Sequence, residues 1–438
     1  MNTLKRFLIF IKRQPPARII ALGFALVILL GAALLKLPVS VRDTATVSWV
    51  DALFTSTSAV CVTGLIAVDS AESFTPFGQA VLVGLIQIGG LGVTSIGMGL
   101  ALAAGRRISL RGRTLVREAL NVDSLEGMIR LIRAVLFFTL CFELGGVVLS
   151  FPVFIQDFPP LHALWVSIFH SVAAFNNSGF DILGGLRNLI PYHDNLWLNL
   201  VTCALIIFGG IGFLVMVDVV KCRFRFRKFT LHTKVVLTTT GVLLVSGTVL
   251  LQITDHVGWM AAFFHSVSAR TAGFSTISIG DLSDAGLFVL IILMFIGASP
   301  GSTGGGIKTT TFFVLMQEIW CIFTKRRPGA FHRRLPENSL GKAATIALLG
   351  VTVVCTGTFL LCVLEPEATF VQLLFEDVSA FGTVGLSTGI TPGLRDVSKF
   401  VLILTMYTGR VGAFTLLSIW VERPEPLARY TEEAITIG

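Results

Sequence analysis

A phenylalanine followed at nearly constant distance by a glycine recurs four times in this chain, as Phe54 with Gly64, Phe169 with Gly179, Phe264 with Gly273 and Phe375 with Gly385. Each copy lies between two long apolar segments, and the third is one residue shorter than the others. Self-similarity of this kind marks units that bury their surfaces against one another rather than alone. Four units of one orientation close around a single axis, each donating one short non-helical strand to it. The pattern predicts a pore.

The solvent of the fold follows from composition. Of 438 residues, 53% are hydrophobic and only 14% charged, a balance that an ordinary soluble domain does not reach. Apolar runs occupy 18–37, 76–103, 131–154, 196–220, 235–254, 286–320, 343–364 and 398–421. About 20 helical residues cross the roughly 30 Å hydrocarbon core, so each run qualifies as a span and the chain reads as an all-α polytopic membrane protein. The first run lacks a small-residue cleavage site and reads as a retained helix. An even number of spans puts both termini on one side. Most of the 34 Lys and Arg fall in the tails and in the loops near 106–133, 221–234 and 325–342. Only Lys36, Arg42, Arg187, Arg395 and Lys399 lie on the opposite side, which by the positive-inside rule makes the tails cytoplasmic. The run Lys221 to Lys228 abuts a span and fits this topogenic pattern, so nucleic acid is not an expected partner. The scattered cysteines show no CxxC spacing, and the histidines form no HExxH or other ligand cluster.

Between the two spans of each pair lies a segment of moderate apolarity, 49–59, 161–174, 259–269 and 370–381, too short to cross and too apolar for a loop. Re-entrant helices fit these lengths. The backbone then returns through Val60-Cys61-Val62-Thr63-Gly64, Phe175-Asn176-Asn177-Ser178-Gly179, Arg270-Thr271-Ala272-Gly273 and Gly382-Thr383-Val384-Gly385. Non-helical backbone at membrane depth is tolerated only where protein buries it or water lines it. Glycine reaches the backbone angles that turn carbonyls inward at no steric cost, and stacked carbonyl rings replace the hydration shell of a monovalent cation. Helix C-termini aimed at the axis favour cations over anions. The strands CVTG, NNSG, RTAG and GTVG share only the glycine, so selection is expected to be less strict than in a symmetric filter.

Two further features stand inside spans. Gly301-Ser302-Thr303-Gly304-Gly305-Gly306 interrupts the overlong sixth run. Each helix-interior glycine costs about 1 kcal/mol, so the cluster breaks the helix at 297–308. A phosphate-binding loop is ruled out because Lys308 does not follow a glycine directly and no strand precedes it. Arg410 interrupts the last run, at a cost of at least about 2.5–3.5 kcal/mol, and must face the protein interior. The motifs Gly89-Gly90-Leu91-Gly92, Gly209-Gly210-Ile211-Gly212 and Gly409-Arg410-Val411-Gly412 recur at similar depth, which fits close helix packing and a direct pore role equally. Glu143 is a further charge inside a span, with no partner evident in the sequence.

Four span pairs, each enclosing a re-entrant helix and a glycine strand, resemble the Trk/Ktr/HKT superfamily of potassium transporters. The chain is most similar to its KtrB-type subunits, on the filter strands, on Gly297 to Lys308 and on Tyr407-Thr408-Gly409-Arg410-Val411-Gly412, over essentially the whole length. The resemblance implies four helix, pore-helix, helix repeats bounded at 1–103, 104–220, 221–320 and 321–438, in the bacterial cytoplasmic (inner) membrane. It implies a K+ filter of backbone carbonyls at Val60, Cys61, Val62, Thr63, Gly64, Asn176, Asn177, Ser178, Gly179, Arg270, Thr271, Ala272, Gly273, Gly382, Thr383, Val384 and Gly385. It also implies an intramembrane gate at Gly301, Ser302, Thr303, Gly304, Gly305, Gly306 and Lys308, with Arg410 as barrier or latch. Glycine at the first filter position points to K+, since serine there goes with sodium preference in the superfamily. Homodimerisation and a cytoplasmic ring of nucleotide-binding RCK subunits of the KtrA type follow from the same resemblance, with no covalent cofactor. The basic loops serve such docking or attraction to anionic lipid equally well. Symport with Na+, Na+ activation, or a less selective monovalent cation channel is the alternative. An enzyme is not expected, because the membrane charges have no matched catalytic partners.

Overall fold

The computed structural model describes residues 14–103, 112, 114–115, 127–325, 328–336 and 338–418, so the terminal tails and most of the 106–127 loop lie outside the described residues. Each of four units opens on a long apolar helix: α1 (Pro16–Leu35), α5 (Met128–Phe154), α9 (Leu231–Asp255) and α13 (Ser339–Leu364). Among the described residues these are the four single helices long and apolar enough to cross a membrane. Their outward faces expose large side chains such as Phe137, Val148, Val245 and Leu348, as lipid contact requires.

The re-entrant helices are α2 (Trp49–Val60), α6 (Pro160–Phe175), α10 (Trp259–Ser268) and α14 (Phe370–Gly382). Their starts are chemically marked. Ser48 and Asp51 form a capping box on α2, Thr369 and Gln372 form one on α14, and Pro160 opens α6 at a position where its missing N–H is not needed. Their C-terminal halves are buried at the centre of the molecule.

The second span of every unit is broken, which differs from the continuous helices expected outside 297–308. They run as α3 (Pro76–Leu91) and α4 (Val93–Ala103), α7 (Leu196–Ile211) and α8 (Phe213–Lys221), α11 (Asp284–Phe295) and α12 (Thr309–Thr324), and α15 (Asp396–Val411) and α16 (Ala413–Ser418). The first two pairs bend by 98° and 94°. Gly92, Gly212 and Gly412 sit at the breaks with φ of +81°, +93° and +92°, a conformation that ends a right-handed helix and that only glycine adopts freely. Gly89, Gly209 and Gly409 have the other role: a Cβ there would strike the carbonyls of Val60, Phe175 and Phe381, at the ends of three re-entrant helices. Close packing and chain breaking thus divide the repeated motif between them.

First-span helices grip the re-entrant helices in a repeated way. Ser56 Oγ donates to Ile28 O (2.7 Å), Ser171 Oγ to Glu143 O (2.6 Å) and Ser266 Oγ to Leu244 O (2.9 Å), beside Gly31, Gly146 and Gly247. In the fourth unit Asp377 stands at this place, against Gly357, and accepts from Thr358 Oγ1 (3.2 Å). The units are joined at the face opposite the basic loops. Leu186 N donates to Asp69 Oδ2 (2.8 Å), Leu189 N to Ser275 O (3.1 Å), and Lys399 Nζ to Asp51 Oδ1 (2.7 Å), the last closing the fourth unit onto the first.

Candidate ion pathway

The four repeated glycines meet. A Cβ built on Gly64 would lie 3.1 Å from the Cα of Gly179, one on Gly179 3.0 Å from Gly273, one on Gly273 3.0 Å from Gly385, and one on Gly385 2.8 Å from Gly64. All are closer than the 3.5–4.0 Å of a normal carbon contact. The same hypothetical atoms would strike the carbonyls of Ser178, Ala272, Val384 and Thr63 in turn. Each strand therefore runs against its neighbour, and the fourth closes on the first. All four glycines have positive φ, +94°, +67°, +76° and +94°.

Two residues before each glycine stands a second left-handed residue, one of the expected filter residues whose conformation the sequence did not indicate: Val62 (φ +56°), Asn177 (+58°), Thr271 (+78°) and Thr383 (+51°). Positive φ is rare for any side-chain-bearing residue and exceptional for Val and Thr, so its fourfold recurrence marks backbone held in shape by its surroundings. In the first, second and fourth units the helix runs on into the first residue of the expected strand, whereas in the third α10 ends at Ser268, before Arg270. Val60 and Gly382 close α2 and α14, and Cys61 and Asn176 keep helical angles as caps. Serines brace the strands: Ser58 Oγ accepts from Gly64 N (3.0 Å) and donates to Leu65 O (2.8 Å), and Ser379 Oγ accepts from Gly385 N (3.0 Å). The recurring Ser before Gly was a signal present in the sequence. The second strand departs from the others, since Gly179 O accepts from Asn188 Nδ2 (3.1 Å).

The glycine-rich loop lies against the inner ends of these strands. Thr303 Oγ1 donates to Asn177 Oδ1 (3.2 Å), a Cβ on Gly304 would strike Thr271 Oγ1, and Gly305 N donates to Thr383 Oγ1 (2.9 Å). Three consecutive loop residues thus meet the left-handed residues of three successive strands. In the first unit Val62 offers no polar atom and packs toward Gly89. That quadrant is spanned instead by Arg410, whose guanidinium donates to Thr303 O on one side and to Gly89 O and Gly90 O on the other.

The rest of the loop is held at its edges. Ser299 N donates to Gly210 O (3.0 Å) and Phe213 N to Gly301 O (2.9 Å), so the loop seats in the break between α7 and α8. Gly301 and Gly306 take φ of +66° and +67° at its two bends. Ser302 Oγ donates to Ser299 O (2.6 Å), and Lys308 Nζ folds back onto Gly304 O (2.7 Å) and Gly305 O (3.4 Å). Arg270 donates from its guanidinium to Gly297 O (3.4 Å), joining the third strand to residue 297 at the start of the loop. Glu143 finds its partner within its own unit in Asn176, whose Nδ2 donates to it at 3.0 Å and, across to the first unit, to Gln87 Oε1 at 2.9 Å.

Long apolar helices around four re-entrant helices whose ends meet in a closed ring of backbone define a polytopic membrane protein. Residues 25–426 match the family model for the TrkH cation transport proteins, and the chain belongs to that family. It is 39% identical to the potassium/sodium uptake protein NtpJ of Enterococcus hirae, over 98% of each chain. It is 37% identical to the Ktr system potassium uptake protein B of Bacillus subtilis, over 97% of each. The crystal structure of the potassium transporter TrkH from Vibrio parahaemolyticus superposes with a TM-score of 0.72 at 18% identity, covering 92% of this chain and 84% of that one, which establishes the shared fold.

Proposed function

We propose that this chain is the ion-translocating membrane subunit of a potassium uptake system, in which K+ crosses the ring at Gly64, Gly179, Gly273 and Gly385 and the loop from Gly301 to Lys308, latched by Arg410, opens and shuts the path. The observation that carries the reading is the cyclic contact of the four glycines, each with a left-handed residue two positions before it. Neutral carbonyls supplied by such backbone substitute for water around a monovalent cation and still release it. The repeats take the boundaries 1–103, 104–220, 221–320 and 321–438, with both termini cytoplasmic as the basic loops indicate. The names of the relatives support K+ as cargo, and that of the E. hirae protein supports a part for Na+ as coupled, activating or leaking ion. The use of Gly179 O by Asn188 and the shorter third strand favour selection that is not absolute. Homodimerisation and a cytoplasmic nucleotide-binding ring of the KtrA type complete the assembly, docked on the basic loops.

The test is cation flux into proteoliposomes holding only this chain, wild type or with each of the four glycines changed singly to Ser. An L-residue in a left-handed conformation costs about 1–2 kcal/mol before any clash. Each variant is therefore expected to lower the ratio of K+ to Na+ flux by roughly tenfold. Unchanged ratios in all four folded variants would overturn the filter assignment.

A further inference from the structure

At one equivalent place, immediately before Ser56, Ser171, Ser266 and Asp377, the four re-entrant helices carry three kinds of polar residue: Thr55, His170, His265 and Glu376. All four are buried, and Glu376 is wholly so. In the first unit Thr55 Oγ1 has no hydrogen-bond partner, and in the second His170 pairs with Thr202 Oγ1 (2.9 Å) on α7. In the third, His265 Nε2 accepts from the backbone N–H of Thr276, at a long 3.4 Å. Thr388 is the residue of the fourth unit equivalent to Thr276, and its N–H donates to Glu376 Oε1 at 2.8 Å.

The fourth unit elaborates this bond into a clamp. Glu376 Oε1 also accepts from Ser387 Oγ (2.7 Å) and Thr388 Oγ1 (3.1 Å), while Oε2 accepts from Thr391 Oγ1 (2.7 Å). Among the described residues no ion pair involves Glu376. Both of its oxygens are thus committed to the segment that leaves Gly385 toward the face opposite the basic loops. That segment needs holding, since Gly389 takes a φ of +93° and the fourth strand closes the glycine ring onto Gly64. Several bonds converging on one buried carboxyl fix a short loop more firmly than scattered single bonds do.

We infer that Glu376 is a positioning residue for cation selection: it holds the outer mouth of the fourth filter strand, and with it the side of the ring where the fourth unit meets the first. The inference rests on the filter assignment above. The test is the ratio of K+ to Na+ flux in proteoliposomes for Glu376→Ala, Glu376→Gln and Thr391→Val, with Gly385→Ser alongside. Glu376→Ala removes every bond of the clamp and is expected to lower the ratio at least tenfold. Glu376→Gln is expected to keep it within about threefold, because its carbonyl retains the Ser387 and Thr388 donors and its amide can donate to Thr391. Thr391→Val, which removes the single bond at Oε2, is expected to fall between them and serves if the alanine variant does not fold. An unchanged ratio in Glu376→Ala or, failing that, in Thr391→Val overturns the inference. Equal losses in Glu376→Gln and Glu376→Ala also overturn it, because charge and not placement would then be at work. If Gly385→Ser shifts the ratio while the Glu376 variants do not, only the positioning role falls. If Gly385→Ser has no effect either, the filter assignment falls with it.

Discussion

Replacing Thr383 by Val tests whether the glycine-rich loop is a barrier. The two side chains have the same shape and are both branched at Cβ, so the strain at φ +51° is common to wild type and variant. What changes is Oγ1, the acceptor for Gly305 N at 2.9 Å in a buried site. A buried donor left without a partner costs about 1–3 kcal/mol, and the cost falls on the seated loop alone, since a displaced loop exposes Gly305 N to water. The ratio of displaced to seated loop should therefore rise about 5–150-fold. With only a small fraction of chains open at rest, K+ flux into vesicles containing this chain alone should rise by at least fivefold, with the ratio of K+ to Na+ flux little changed. Unaltered or reduced flux in a folded variant of intact selectivity would refute the reasoning, because it would mean that the loop at this contact does not limit passage.

Two predictions concern the frame. Lys399→Met leaves Asp51 without its ion-pair partner at the junction of the fourth and first units and should destabilise the protein by about 1–3 kcal/mol, between the values for exposed and fully buried pairs, whereas adding Asp51→Asn should recover part of the loss in a thermal unfolding assay in detergent. Asp218, near the basic-loop end of α8, accepts from Thr233 Oγ1 (2.6 Å), Thr230 N (2.9 Å) and Thr230 Oγ1 (3.0 Å), which ties α8 to the start of α9. Asp218→Ala removes these three bonds and should lower stability by about 1–3 kcal/mol in the same detergent assay, with Asp218→Asn, which keeps one carbonyl acceptor, falling between it and wild type.

The architecture was legible where local chemistry decides it. Re-entrant helices end within a residue or two of the places read from apolarity, because their starts carry capping residues and their ends meet a glycine strand. The break in the sixth span was legible because four glycines in six residues cannot remain helical. The breaks at Gly92, Gly212 and Gly412 were not, since glycines clustered in an apolar run of span length fit close helix packing as well as a break, and the deciding fact is the positive φ of the last glycine in each motif. Val62, Asn177, Thr271 and Thr383 were legible as filter residues, but their left-handed backbone was not. Val and Thr are among the residues least suited to that conformation, so composition points away from them, and only the surrounding helices make them adopt it. The link from Glu143 to Asn176 joins different elements at long sequence separation and has no signature along the chain.

Carrying four units in one polypeptide has a consequence that identical subunits would forbid. The ring itself needs near-equivalence, and there the units agree on glycine at one place and left-handed backbone two residues before it. Everything that touches the ring from behind or below is free to differ. Only the third unit lengthens its break into a loop, and that loop reaches Asn177, Thr271 and Thr383 with three successive residues. The first unit presents Val62 there, whose side chain can accept no hydrogen bond, and the fourth unit supplies Arg410 to bridge from Thr303 O to Gly89 O and Gly90 O. In an assembly of identical chains, four such loops would crowd one axis and four guanidiniums would repel one another and any cation beneath the ring. One loop and one arginine are enough to meet the ring on all four sides, and because the arginine occurs once, its contacts to Thr303 O, Gly89 O and Gly90 O are removed by a single substitution that leaves the four glycines in place.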